Sequence, residues 1–228
     1  MPDSKKTQVK NIFDSIAKKY DFLNHFLSFG SDIYWRKKAL KLTNLNPDSI
    51  LLDIACGTGD FAIEAKKSQV QKIFGADFSH NMLELFAGKT NWIKGRTIQM
   101  VAEFIPIKKE SVSNITVAFG VRNFYDIQKA FDNFFYCLMD NGKATILEFR
   151  MPANGFFRVL YKFYFKKILP VVGGIVSGNK EAYKYLPKSV EEFDEKIDLV
   201  KIFEKSRFKK IERFNLTFGI VQVVIGTK

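Results

Sequence analysis

Apolar residues recur along this chain in two rhythms. Val9 to Tyr20 (VKNIFDSIAKKY) sets Val9, Ile12, Phe13, Ile16 and Ala17 at helical spacing, and after a break at Gly30 a second helix is expected over Asp32 to Leu42. From Ile50 a short continuous apolar run takes over and predicts a buried strand. It stops in a glycine turn, beyond which Asp60 is placed to N-cap a helix beginning FAIEA. Ile73 to Ala76 predicts a second strand closing at Asp77, followed by a helix NMLELFAG capped by Ser79. Thr97 to Ala102, ending at Glu103, predicts a third strand, and Ser113 to Phe119 a fourth. Tyr125 to Met139 then carries Ile127, Ala130, Phe131, Phe134, Phe135, Leu138 and Met139 on one helical face, closed by Asn141-Gly142, and Lys143 to Phe149 predicts a fifth strand. Phe208 to Leu216 and Phe218 to Thr227 close the chain as a strand pair about Thr217 to Gly219.

Strands alternating with helices predict an α/β fold with a parallel, doubly wound sheet, whose ligands bind at the carboxyl ends of the strands. Asp53, Asp77, Glu103, Arg122 and Glu148 are all expected there. The 228 residues suffice for one domain with a sizeable core, and no Pro-, Gly- or Ser-rich linker divides them. Within it, 1–48 forms a helical lid over the cleft, 49–150 the ligand-binding core, 151–190 an insertion, and 191–228 a helix and the terminal hairpin.

The net charge is +12, but the lysines are scattered and do not alternate with aromatics as in an RNA-binding segment. A solvated basic surface, or one facing an anionic bilayer, is expected, and no nucleic acid. The two cysteines, Cys56 and Cys137, lack metal-ligand spacing and form no disulfide framework, which points to a reducing, cytoplasmic compartment and no metal. No signal peptide is legible, and no apolar run approaches the ~20 residues of a spanning helix, so the chain is expected to be soluble or peripheral to the inner face of a membrane.

The chemistry concentrates in LLDIACGTGD, Leu51 to Asp60. Gly57 and Gly59 let the backbone turn sharply and approach a ligand, while the free N–H groups at a helix start carry partial positive charge. A carboxylate, a phosphate or a polar nucleoside suits such a turn. As G-x-G-x-x-A, Gly57 to Ala62 also fits a nicotinamide-dinucleotide site. Asp53 discriminates, because a carboxylate near the end of an apolar strand needs a cationic or hydrogen-bonding partner. D-x-x-x-G-x-G resembles motif I of the S-adenosylmethionine-dependent methyltransferases, whose cofactor carries an ammonium and a sulfonium. Asp77 follows 24 positions after Asp53, near the spacing at which an acid takes ribose hydroxyls.

Around and beyond motif I stand the stretches FDSIAKKYDFLNHFLSFGSDIYWRK, DIACGTGDFA, FGVRNFYD, LEFRMP, SGNKEAYKYLPKSVEEF and FNLTFGIV. Through them the chain resembles, over nearly its whole length, the quinone C-methyltransferase family of menaquinone and ubiquinone biosynthesis; the YDFLN, FGVRN and AYKYLP segments distinguish this family from its superfamily. The resemblance implies a class I methyltransferase fold with a Rossmann-like sheet and a terminal antiparallel hairpin. It implies that S-adenosylmethionine is held by Asp53, Gly57, Thr58, Gly59 and Asp77, with the Val101-Ala102 backbone at the adenine and Ala118 beside the cofactor. Val101 stands where relatives usually carry Asp or Asn, Ala118 where Ser is common, and Arg150 where a small residue is frequent.

The same resemblance makes Arg122 the leading candidate for proton transfer. Tyr20 is read as a catalytic companion that could also line the acceptor pocket, with Asn123, Glu148, Tyr183 and Tyr185 as further pocket candidates, although aromatic packing accounts equally well for any single tyrosine. Arginine is a poor base, so Arg122 more plausibly orients a water or holds a quinolate oxygen; a salt bridge capping the strand end is the competing reading. The acceptor implied is a polyprenyl hydroquinone, demethylmenaquinol ahead of a methoxy-benzoquinol. A nucleic-acid or other small-molecule methyltransferase, and a non-catalytic nucleoside-binding protein, are alternatives from other classes. The insertion FFRVLYKFYFKKILPVVGGIV, dense in aromatics and lysines, suits an anionic membrane surface, and equally a substrate pocket or a homodimer interface.

Overall fold

The structure, a computed structural model, describes residues 20–177 and 180–228. The helix expected from Val9 lies outside them except at its end. The described chain opens with α1 (Tyr20–Leu27) and α2 (Ser31–Thr43), then alternates β1 (Ile50–Ile54), α3 (Asp60–Lys66), β2 (Lys72–Asp77), α4 (His80–Lys89), β3 (Thr97–Gln99), β4 (Val112–Ala118), α5 (Ile127–Cys137) and β5 (Leu138–Phe149). Next come α6 (Gly155–Phe163), a π-helical turn (Tyr164–Ile168), α7 (Leu169–Ser177), α8 (Lys180–Lys196) and α9 (Leu199–Lys205), before β6 (Lys209–Leu216) and β7 (Val221–Thr227).

The seven strands form one sheet in the order β3-β2-β1-β4-β5-β7-β6. β1 to β5 run parallel, and β7 is antiparallel both to β5 and to β6, so the terminal hairpin is present as expected. The β1 run is continuously apolar because both its faces are covered. Leu51 packs with Trp35, Ala39, Phe61 and Phe86 below α2, α3 and α4, whereas Leu52 and Ile54 pack with Phe131, Phe134 and Phe203 beneath α5 and α9. A third, smaller core of Leu23, Met151, Tyr161, Phe165, Leu169 and Val190 joins the N-terminal helices to the segment after β5. This third core roofs the carboxyl ends of the strands.

Several expectations are corrected. Asp60 is the first residue of α3 rather than its cap; Gly59 occupies the cap in a left-handed conformation. Asp60 instead meets Lys89 at 2.7 Å and Arg36 at 3.6 Å. The third strand stops at Gln99, because Val101 and Phe104 pair across a tight turn. Glu103 therefore leaves the row of strand ends, and its carboxylate accepts the backbone N–H groups of Tyr125 and Asp126. The helix expected to reach Met139 ends at Cys137, and β5 starts at Leu138 with Asn141-Gly142 inside its span; β4 shifts register against it between Val112 and Asn114. Arg122 follows β4 in a short 3-10 turn, Val121–Asn123, rather than closing the strand. Asp53, Asp77 and Glu148 stand at strand ends as read.

Candidate functional site

Two cavities meet the carboxyl edge of the sheet. The smaller is lined by Asp53, Ala55, Cys56, Gly57, Thr58, Asp60 and Ala118, with Arg36 and Phe119 at its margin. Its floor follows from the sequence directly. Gly57 and Gly59 both take positive φ, 54° and 85°, and a Cβ on Gly59 would sit 2.0 Å from a ring carbon of Phe86, so only glycine fits that turn. Asp77 shapes the turn as well: its carboxylate accepts the N–H of Gly57 and that of Ser79, both at 2.8 Å. Ser79 caps α4 as expected, accepting from Met82 N–H.

Asp53 is almost wholly buried, and Thr116 donates to its Oδ1 at 2.7 Å. Burial pushes its carboxyl up to about 7, against the pull of the Thr116 hydroxyl and the Arg36 charge. Oδ2 has no hydrogen-bond partner among the described residues. A buried acceptor without a donor, beside a glycine turn, is what a cationic ligand group would complete. S-adenosylmethionine therefore fits these residues; Asp77 does not line this cavity, and its carboxylate holds the backbone of the turn behind it. The Thr58 hydroxyl donates to Asp21 of α1, and Lys89 bridges Asp21 at 2.6 Å to Asp60, which ties α1 over the turn. Val101 and Ala102 lie beyond β3, where the Ala102 carbonyl accepts from Asn133 at 3.2 Å.

The larger cavity, about 310 Å³, lies under the third core. Phe119, Phe149, Phe165, Tyr161 and Leu169 form its apolar walls, while Asp32, Arg36, Arg122 and Tyr185 supply polar groups. Arg36 and Phe119 line both cavities. Phe119 holds a positive φ of 57°, a strained backbone for a bulky residue, with its N–H on Leu147 O at 2.7 Å. Its ring packs on Phe149 at 4.6 Å between centroids.

Arg122 is buried and pairs through Nη1 with Glu148, itself inaccessible, at 2.8 Å; Nη1 also donates to Phe119 O. The salt bridge weighed against a catalytic role is thus present, yet Arg122 Nε has no partner among the described residues. Tyr161 Oη is likewise buried and unpartnered, and burial holds its phenol well above its usual range. Both side chains line the cavity. Of the residues read for catalysis and the acceptor pocket, Arg122 and Tyr185 line this cavity and Asn123 and Glu148 stand behind them, Tyr185 donating to Asn123 Oδ1 at 2.8 Å. The side chains of Tyr20 and Tyr183 lie outside those described. Asp32, Arg36, Phe119, Phe149, Tyr161 and Phe165 were missed as site residues. An acid and an arginine four apart on the buried face of α2 were the available signal for the first two.

The ubiE/COQ5 methyltransferase family matches residues 1–228. The Geotalea uraniireducens ubiquinone/menaquinone biosynthesis C-methyltransferase UbiE is 41% identical over 230 residues, covering 98% of this chain and 97% of that protein. The Thermus thermophilus demethylmenaquinone methyltransferase is 36% identical over 220 residues, covering 95% of this chain and 100% of its own length. In fold, a Thermotoga maritima SAM-dependent methyltransferase superposes with a TM-score of 0.65 at 16% identity, covering 96% of this chain and 99% of that one. A Haemonchus contortus N-methyltransferase solved with S-adenosylhomocysteine gives 0.63 at 14% identity, covering 96% of this chain and 59% of its own. From its matched length and these identities, the chain belongs to the ubiE/COQ5 methyltransferase family and uses S-adenosylmethionine as its cofactor.

Proposed function

We propose that this enzyme methylates a ring carbon of a polyprenyl hydroquinone, demethylmenaquinol, at the point where its two cavities share Arg36 and Phe119. The observation that carries the reading is the larger cavity: aromatic walls of a size for a bicyclic ring, with two buried donors left without partners among the described residues. Relatives from Chlorobaculum parvum and Thermus thermophilus are demethylmenaquinone methyltransferases, which supports the naphthoquinol over the benzoquinol.

The cofactor supplies an electrophilic methyl group. Asp53 would receive its cationic end, the Gly57–Gly59 turn and Thr58 would border it, Asp77 would take the ribose, and the Val101-Ala102 backbone and Ala118 would flank its nucleoside. Phe119, Phe149 and Phe165 hold the acceptor ring and exclude water, so orientation and a dry site supply much of the rate. Arg122 Nε and Tyr161 Oη are placed to donate to a ring oxygen. A guanidinium stays protonated, so Arg122 holds that oxygen rather than removing a proton. Glu148 keeps the guanidinium aimed, Asn123 holds the Tyr185 hydroxyl against the wall, and Tyr20 and Tyr183 would complete the proposed pocket.

An exposed apolar face on α6 and α7 supports peripheral membrane contact. Phe156, Val159, Leu160, Phe163 and Val171 all face solvent on the elements whose Tyr161, Phe165 and Leu169 build the cavity. The insertion thus offers one face to lipid and the other to the ring. Among the described residues no helix is long and apolar enough to cross a membrane. The test is methyl transfer from labelled cofactor into quinones extracted from membranes, run beside RNA. Label in the quinone fraction alone is expected; label in RNA, or in neither, overturns the reading.

A further inference from the structure

Resting on the quinol reading, we infer that the proton displaced by methylation leaves through Asp32 and His25, a buried-to-exposed pair on α1 and α2. Transfer to a ring carbon forms a carbon–methyl bond as the sulfonium–methyl bond breaks. The ring C–H bond must then break, its electron pair returning to the aromatic system and its proton going to an acceptor. Arg122 cannot be that acceptor at neutral pH. Asp32 lines the cavity and is nearly inaccessible to solvent, and its Oδ2 lies 2.7 Å from His25 Nδ1. The His25 side chain is 38% exposed, so the pair reaches from the cavity wall to water.

The surroundings suit a relay and not a metal site. His25, Asp32 and Asp60 present ligand atoms within 4.8 Å of one another, but Arg36 already occupies the cationic position, paired to Asp32 and 3.6 Å from Asp60. Ser28 Oγ donates to Asp32 Oδ1 at 2.7 Å. Burial alone would raise the Asp32 carboxyl, but the Ser28 hydroxyl and the Arg36 charge outweigh it and hold the group below its ordinary value. Asp32 therefore holds a proton only in passing and hands it to the imidazole.

Among the described residues, His25 faces Asp32 from α2 and Asp60 from α3, whose Oδ2 is 4.0 Å from Nε2, and Arg36 of α2 pairs with both acids. Lys89 of α4 and Asp21 of α1 stand behind Asp60 in the same network. The neighbouring Tyr164 donates to Leu27 O, and α7 carries no titratable side chain.

His25→Asn is the decisive variant, because its amide can keep the hydrogen bond to Asp32 but cannot take up a proton. The wild type is first assayed on a short-tailed demethylnaphthoquinol; absence of transfer there would defeat the quinol reading itself. Given transfer, the variant should lose about 10²- to 10³-fold in kcat, the range for a general base. KM and cofactor affinity should stay within about twofold, because binding groups are untouched. The acid limb of the wild-type pH profile should disappear. An unchanged kcat and profile would overturn the relay.

An independent readout uses the ligand-free protein, whose only imidazoles are His25 and His80. Asp32→Asn should move the ring ¹⁵N chemical shifts of His25, whose Nδ1 faces the Asp32 carboxylate at 2.7 Å, and leave those of His80 unmoved. His25 ring shifts that do not move would overturn the relay whatever the acceptor proves to be.

Discussion

Asp53 carries a cost in the ligand-free protein that its ligand should relieve. The folded carboxyl titrates at about 7 against an ordinary 3.8. Below pH ~4 it is protonated in both folded and unfolded states; between ~4 and ~7 the folded chain alone holds the proton, so stability falls as pH rises through that window. At about 1.4 kcal/mol per unit the full penalty above pH 7 is up to ~4 kcal/mol. Asp53→Asn should therefore melt progressively higher than the wild type from pH 5 to pH 8 while losing cofactor affinity. Calorimetric titration of the wild type in buffers of different ionisation enthalpy should detect proton release on cofactor binding at pH 6 and little at pH 8.5. No release at pH 6 would mean that the buried carboxylate does not receive the cationic group. At Arg122, lysine can keep a charge near Glu148 but not the free Nε, so Arg122→Lys should lower kcat with cofactor affinity intact. Joint loss of melting temperature and cofactor affinity would leave it a structural pair only. Asp53 was legible as a single residue because charge inside an apolar strand is anomalous, whereas Arg122 stood out through the FGVRN segment and lies in the turn after β4 rather than at the strand end read for it. Tyr161 was not, since an aromatic among Phe156, Phe157, Phe163 and Phe165 carries no mark of whether its hydroxyl is paired.

Elements were legible where one rhythm ran unopposed. β1, β2, the β6–β7 hairpin and the Ser79 cap stand as read, but Asn141-Gly142 was taken for a helix stop when it lies within β5, since either role suits a residue at positive φ, and Asn141 has φ 61°. The β1–α3 turn yields a prediction of its own. Gly59→Ala must place a Cβ against Phe86 in a left-handed backbone and should destabilise the domain by roughly 2–4 kcal/mol, read as a lower denaturant midpoint. Gly57→Ala meets open space and should cost only about 1 kcal/mol. Equal losses would refute the packing account. In the insertion, Lys162 and Lys166 both pair with Glu191, so charge there is partly spent within the protein. The apolar side chains are the better probe. Changing Phe156, Val159 and Phe163 to Ser should sharply reduce vesicle binding with little change in melting temperature. It should spare activity on a short-tailed quinol while lowering it on a long-tailed one; undiminished vesicle binding would place the membrane contact elsewhere.

For the whole molecule, alternating strands and helices made the parallel sheet and its ligand edge readable, and motif I made the cofactor turn readable. The acceptor cavity was not, because its walls come from α1, α2, the loop after β4 and the α6–α7 segment, far apart in sequence and brought together only by the third core. Trp35 Nε1 donating to Thr217 Oγ1 at 2.7 Å, across 182 positions, is one such tie that no local pattern announces. The central claim is that the acceptor ring is methylated in this cavity and that the cofactor lies in the other. Leu169, nearly inaccessible and on the wall of the larger cavity alone, allows the most direct test. Leu169→Trp should fill the space at a tolerable ~1–3 kcal/mol of overpacking. Measured on one preparation, it should bind S-adenosylmethionine like the wild type and transfer almost no methyl group to the quinol. Undiminished transfer would place the acceptor ring elsewhere, and loss of cofactor binding in parallel would contradict the division of the site into two cavities.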